Sequence, residues 1–441
     1  MTHMTPRRRN VALFLELVVA LLLWSRESEW LLVLPRWSSD IAQSGHPDIQ
    51  NRTLGFQHIF AINLPPRTDR RDAMTIAASL SNLNVTWIDG IAGNDVLDEV
   101  LPGNSESRQS GFTVGNKGSW RAHMNVLQRI VHENITSALI LEDDADWDVR
   151  LKRQLQVFAR AARAFTQPTS RHGQTLARER ERHHNTARPE VHINQLPRRI
   201  THHHHQAGPS PYGTDWDVLW LGHCGTEFPS TISRSNNSKT PPNNQLSPPS
   251  LLRVTIPNDK TVPSPHHLKP HPFALPDALA SQYPPHTRVV HASHGTVCTQ
   301  AYAVSQQGAR RLLWRFGLQT VMAGWDLMLR DWCDGLLYST TTTTMTGDAT
   351  GAGVDEEEEE EKENEWRRRK GRGRGPVCVT VQPPLFSHHY GPGAASDIMA
   401  PGGGFVNRER EMTPYVRVSV RLNMERLVDG REGVEQWDDG G

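Results

Sequence analysis

Residues 137–148, SALILEDDADWD, run from a short apolar stretch straight into Glu142, Asp143, Asp144, Asp146 and Asp148. Ala138 to Leu141 has the length and composition of a buried strand. Carboxylates crowded directly after it repel one another unless positive charge lies among them. In a largely parallel sheet, ligands bind beyond the carboxyl ends of the strands, and that is where these acids stand. The simplest positive partner is a hard divalent cation, Mn2+ or Mg2+, which takes oxygen ligands and leaves positions free for substrate phosphates. A solvated acidic loop is the competing reading.

Working outward, the chain alternates between strand and helix patterns. His58 to Leu64 and Val85 to Asp89 read as strands around a helix from Asp69 to Leu80, whose Met74, Ala77 and Ala78 share one face. Ser119 to His132 reads as a helix with Trp120, Met124, Leu127 and Val131 in one stripe, leading into the strand at Ala138. Asp217 to Leu221, Ala301 to Val304 and Val377 to Val381 complete the strands, and Ser305 is placed to cap a helix through Ala309, Leu312, Leu313 and Phe316. Apolar strands separated by helices predict an α/β fold: a Rossmann-type, mostly parallel sheet with helices on both faces.

Composition limits how much of the chain joins that sheet. The 441 residues suggest about three domains by length alone, yet 37% hydrophobic content, Pro 30, Gly 33 and a mean hydropathy of −0.56 point to one domain with polar insertions. Lys+Arg and Asp+Glu balance at 48 each, so no global basic field points to nucleic acid. Three stretches, about 167–213, 229–285 and 340–375, lack hydrophobic periodicity and read as disordered insertions. The first holds the tract His202 to His205, and the last an acidic run followed by an Arg/Gly run. These stretches lie inside a domain expected over 55–400, with 401–441 read as a C-terminal tail.

At the other end, Arg7 to Arg9 precede Val11 to Trp24, apolar apart from Glu16, the pattern of a secretory targeting segment over residues 1–36. It reads as a signal anchor or a cleaved signal peptide, with a lean towards the anchor because no small-x-small cleavage site follows. The expectation is a single-pass type II protein of the Golgi or ER membrane, secreted if the segment is cleaved. Sequons at Asn51, Asn84, Asn134 and Asn236 agree with luminal passage. Cys224, Cys298, Cys333 and Cys378 lack C-x-x-C spacing, which disfavours zinc and leaves one or two disulfides in any of three pairings.

Six segments in order, FAINLPPRTDRRDAM, VGNKGSWRAHMNVLQRIV, ALILEDDADWD, WDVLWLGHCG, CTQAYAVSQQGARRLL and CVTVQPPLFSHHYG followed by SDI, resemble glycosyltransferase family 25, the lipooligosaccharide-biosynthesis and collagen galactosyltransferase-like group. The resemblance implies a GT-A-like fold, a nucleotide-sugar donor such as UDP-galactose, a divalent metal, and inverting transfer to a hydroxyl of a glycan or glycoprotein. Glu142, Asp143 and Asp144 match the family's acidic triplet, and Asp146 adds a D-x-D arrangement with Asp144. Metal is therefore expected on Asp144 and Asp146, which pair binds being open, with His388 a further candidate. Asn63 and Arg67 match an Asn-Leu-x-x-Arg motif and, with Arg70, Glu142, Asp143 and Gln300, form the expected donor set; arginine suits phosphate through its forked donors. Gln300 stands where the family often has His, and His388 and His389 where it commonly shows Gln. His123 matches a family histidine but lies on the inward stripe, where a satisfied core histidine is the likelier role. An inverting transfer needs a base near the acceptor hydroxyl. Asp326 matches an acidic family position, with Asp331 a second candidate, while the plain alternative for Asp326 is helix capping.

Two other classes compete. A glycoside hydrolase uses an acid and a nucleophile or base across a sugar rather than several carboxylates at one strand end. A catalytically inactive carbohydrate- or nucleotide-sugar-binding paralogue would keep the fold without turnover.

Overall fold

The computed structural model describes residues 47–104, 112–169, 174–183, 189–197, 210–230, 250–272, 274–337, 375–391, 398 and 411–437. The targeting segment, the sequon at Asn236, the tract at 202–205 and the acidic and basic runs of 340–375 lie outside these residues. Among those described, no helix is long and apolar enough to cross a membrane.

Strands β1 (His58–Asn63), β2 (Thr86–Asp89), β3 (Ser137–Glu142), β4 (Ala145–Trp147), β5 (Glu190–His192), β6 (Val218–Gly222), β7 (Arg253–Ile256), β8 (Arg288–Ala292), β9 (Ala301–Ser305), β10 (Cys378–Gln382) and β11 (Phe386–His388) form one 11-stranded sheet. Its main path runs β2-β1-β3-β9-β6-β10-β8-β7-β5, with β11 beside β6 and β4 beside β11. On that path β9 and β8 run against the others, which share one direction, so the expected mostly parallel α/β sheet is present.

Alternation along the strands explains the two layers. Leu139 and Leu141 of β3 point into one core with Met74, Ala77 and Ala78 of α1 (Thr68–Leu80) and with Leu155 and Phe158 of α3 (Leu151–Thr166). Ala138 and Ile140 face the opposite core, built from Trp120, Met124 and Leu127 of α2 (Val114–His132), Leu312 of α6 (Gln306–Trp314) and Met328 of α7 (Trp325–Cys333). Helices thus cover both faces, as a GT-A-like Rossmann arrangement requires. Helix α2 starts earlier than its apolar stripe suggests, because the Thr113 side chain accepts from the Asn116 amide at 3.2 Å and caps it. Gly118 lets that helix press on the chain after β2: a Cβ there would stand 2.3 Å from the Ile91 carbonyl oxygen. Ser305 caps α6 as expected, accepting from the Gly308 amide at 3.0 Å.

Two regions differ from the sequence reading. The stretches taken as insertions supply α4 (Leu176–His183), β5, β7 and α5 (Ala278–Gln282), and Leu252, Val254, Val262 and Leu268 are buried. Their apolar pairs are too short to show a period amid Pro and Ser, but burying each such side chain contributes about 1.5–3 kcal/mol. Residues 411–437, read as part of a tail, pack on the domain and end with α8 (Met424–Val428) and the turn after it; Tyr415, Val416, Val418 and Val420 are buried. The cysteines pair as Cys224–Cys298 and Cys333–Cys378.

Candidate active site

In the order β2-β1-β3 the chain leaves β1 for β2 by α1 on one face and returns to β3 by α2 on the other, and ligands of open α/β sheets bind beyond the carboxyl ends where the order reverses in this way. Register brings Ile62 of β1 opposite Glu142 of β3, so Asn63 and the acidic turn share the carboxyl edge. Helix α1 starts at the same edge and carries Arg70 in its first turn. Strand β11, parallel to β6, brings His388 to the same edge opposite Ala145.

The positive partner of the acids is a side chain. Arg70 Nη1 lies 2.9 Å from both Asp143 Oδ1 and Asp144 Oδ2. Asn63 Nδ2 donates to Asp143 Oδ2 at 2.8 Å and to the Arg67 carbonyl at 3.0 Å, tying the end of β1 to the acidic turn. His388 Nε2 stands 3.2 Å from Asp144 Oδ2. Against the effect of burial, His388 and Arg70 hold the Asp144 carboxyl well below the usual carboxylate range. Asp143 is raised instead, by burial and by the Asp144 charge, in spite of Arg70 and Asn63. The charge argument that favoured a divalent ion is therefore met in part by arginine.

Glu142 completes the cluster in a different setting. Its Oε1 accepts from Thr299 Oγ1 at 2.6 Å and lies 3.9 Å from His123 Nε2. Burial, with the Asp144, Asp326 and Asp143 charges, pushes the Glu142 carboxyl up to about 8. His123 is a buried neutral imidazole: Nδ1 is 2.8 Å from the Tyr302 hydroxyl, the ring stacks on Trp325, and burial depresses it to about 3. Asp326, in the first turn of α7, does not cap its own helix; its Oδ2 accepts from the Cys298 amide at 3.0 Å. Gln300 is buried beside the Cys224 sulfur at 3.6 Å, and its carbonyl accepts from the Glu142 amide at 3.0 Å.

Other expected residues are engaged elsewhere. Arg67 forks onto Asp69 at 2.9 and 2.8 Å and lowers that carboxyl to about 2. Asp331 pairs with its neighbour Arg330 at 2.7 Å. Asp146 is fully buried and faces the C-terminal segment: Thr413 Oγ1 donates at 2.7 Å, Ser419 Oγ at shorter range, the Arg421 amide at 3.2 Å and the Trp147 amide at 2.7 Å. The D-x-D pair is thus split between two environments. Arg421 itself reaches the acidic turn, donating from Nη2 to the Asp143 carbonyl at 2.6 Å and from Nε to the Ala145 carbonyl at 3.0 Å. Sequence reading missed it because nothing in its spacing links it to residues 142–146.

Among the described residues, no group of three or more His, Cys, Asp or Glu is arranged to hold a metal ion. One feature does fit a cation: Asp144 Oδ1 is buried and has no hydrogen-bond partner, an arrangement that costs free energy unless something positive meets it.

A family model described as glycosyltransferase family 25 (LPS biosynthesis protein) matches residues 56–323. Curated relatives include procollagen galactosyltransferase 1 of Danio rerio, 34% identical over 24% of this chain and 19% of that protein. Procollagen galactosyltransferase 2 of Mus musculus is 29% identical over 23% of this chain and 18% of its own length. A probable inactive glycosyltransferase 25 family member 3 of Bos taurus is 25% identical over 28% and 22%. The chain therefore spans only about a fifth of the length of the relatives it matches.

Proposed function

The chain belongs to glycosyltransferase family 25, and on that premise we propose that it moves galactose from a nucleotide sugar, UDP-galactose, to a hydroxyl of a glycoprotein or glycan, with inversion. The observation that carries this reading is the convergence of Asn63, Arg70, Glu142, Asp143 and Asp144 on the carboxyl edge of β1 and β3. The galactosyltransferases among the relatives favour galactose and a procollagen-like acceptor. The secretory pathway, with residues 1–36 as a type II Golgi or ER anchor or a cleaved signal, belongs to the same reading and rests on the Arg7 to Trp24 pattern.

In this reading Asn63, Arg67, Arg70, Glu142, Asp143 and Gln300 serve the donor. Asp326, whose charge acts on Glu142, takes the proton of the acceptor hydroxyl; Asp331, paired with Arg330, is the second candidate for that role. Asp144, through its unpartnered Oδ1, and His388 beside it are the residues that would hold Mn2+ or Mg2+. Asp146, surrounded by four donors, is left out of that set. A bound ion supplies Lewis acidity to the departing diphosphate.

The test is turnover by the purified full chain on UDP-galactose, UDP-glucose and UDP-N-acetylglucosamine with procollagen, with and without Mn2+. Manganese-dependent transfer that falls by about a hundredfold or more in Asp144→Asn is expected; unchanged transfer by that variant in chelated buffer overturns the reading. A second reading, a donor-binding protein without turnover, is favoured by the similarity to a probable inactive family member. UDP binding with no transfer from any donor selects it.

A further inference from the structure

The acidic turn is held from outside the matched residues 56–323. The C-terminal segment is zipped to residues 146–149: Val418 amide to Asp148 Oδ2 at 3.0 Å, Val149 amide to Val418 carbonyl at 3.0 Å and Val420 amide to Trp147 carbonyl at 2.9 Å. Thr413 and Ser419 close on Asp146 from the same side. This alignment delivers Arg421, 8% exposed, under the turn that presents Asp143 and Asp144.

We propose that Arg421 is a positioning residue for the donor site: its guanidinium fork binds the Asp143 and Ala145 carbonyls and so fixes the backbone from which the Asp143 and Asp144 side chains project. The proposal rests on the reading of that turn as the place of the donor diphosphate. Two carbonyls separated by one residue and bound from one planar group leave the turn little freedom, and a lysine ammonium, a single point, does not reproduce the fork. Burial opposes the Arg421 charge, while Asp146, Asp144 and Asp143 favour it, so the guanidinium also adds positive charge beside the carboxylates that Arg70 bridges from the first turn of α1. A bond made only to stitch the C-terminal segment in place would contribute stability and nothing to ligand affinity.

The experiment compares the full chain with Arg421→Met, Arg421→Lys and Arg417→Met, the last removing a buried arginine of the same segment that pairs with Glu435 and not with the acidic turn. Melting temperature, UDP affinity in Mn2+ by calorimetry, and KM and kcat for UDP-galactose are measured below the transition of the weakest variant. Arg421→Met is expected to weaken UDP binding about tenfold, the scale of one charged hydrogen bond, with Arg421→Lys intermediate and Arg417→Met unchanged. A melting shift in Arg421→Met with UDP affinity, KM and kcat all unchanged overturns the proposal. If the parent chain neither binds UDP nor transfers sugar, the functional reading fails by itself. Amide hydrogen exchange at residues 143–147 then decides the positioning claim: faster exchange in Arg421→Met supports it, and unchanged exchange refutes it.

Discussion

Arg70 and Asp144 are joined at 2.9 Å, with each side chain little exposed, and the same nitrogen of Arg70 holds Asp143. Removing one partner of a buried pair leaves uncompensated charge and costs on the order of 3–5 kcal/mol. Arg70→Met should therefore lower the denaturant midpoint strongly, and adding Asp144→Asn should restore part of the loss. Coupling near zero in that double-mutant cycle would show that the arginine does not balance the acids.

Asp144 and Asp146 should separate function from stability. Asp146→Asn removes an interior charge and replaces Oδ2, which accepts from the Thr413 and Ser419 hydroxyls, by a donor, while Oδ1 can keep the Trp147 and Arg421 amides; each hydroxyl left without its acceptor costs about 1–3 kcal/mol. Thermal melting should fall more for Asp146→Asn than for Asp144→Asn, in which Arg70 keeps Asp143 as a partner and like-charge repulsion is relieved; Asp144→Asn should lose transfer instead. Equal melting shifts in the two variants would contradict the split environments.

The Cys224–Cys298 disulfide fixes the loop from which the Cys298 amide holds Asp326 and Thr299 holds Glu142. Its partners are 74 residues apart, for which loop entropy gives roughly 4 kcal/mol. Cys224→Ala with Cys298→Ala should lose both stability and turnover. Cys333→Ala with Cys378→Ala, which frees the end of α7 from β10 across 45 residues, should lose comparable stability while keeping the KM for donor. A KM that moves equally in both pairs of variants would detach the first disulfide from the site.

Three buried histidines set an acid limit. Burial depresses His123 and His291 to about 3 and His223 to about 4, against an ordinary 6.5. The unfolded chain thus binds more protons at these positions below 6.5, and their contribution is present above that pH and lost as pH falls. Glu142 and Asp277, pushed up to about 8 and about 6 by burial, work in the opposite sense, Glu142 from its ordinary 4.5 to about 8 and Asp277 from its ordinary 3.8 to about 6. Between about pH 6 and 5 the three histidines outweigh these two acids, so stability falls on acidification there. Urea midpoints at pH 6, 5.5 and 5 should show it, and His223→Gln should flatten it; a flat profile for the parent chain over that range would contradict the neutral histidines.

Much of the fold could be read from periodicity. The continuous apolar runs at 58–63, 137–141 and 218–221 are buried on both faces, so they stand out, and α1 and α6 show their inward residues at helical spacing. β7 and the packed residues 411–437 did not stand out, because their buried side chains are scattered among Pro, Arg and Gly, and long-range pairing orders them. In the site, the acids after β3 were visible as a local anomaly of charge. What balances them was not: Arg70 lies 73 residues before Asp143 and Arg421 lies 278 residues after it, and no local pattern encodes such separations. The split of Asp144 from Asp146 was hidden for the same reason, since a two-residue spacing says nothing of the Thr413 and Ser419 hydroxyls that claim Asp146.

Because residues 413–421 supply the hydroxyls, amide and guanidinium that surround Asp146 and the turn before it, a ribosome delivers those groups after the strands they serve. Until they emerge, the nascent sheet exposes an acidic crest whose lower half is unmet. A newly made chain whose open sheet forms early would hold that turn slack until the late segment packs home.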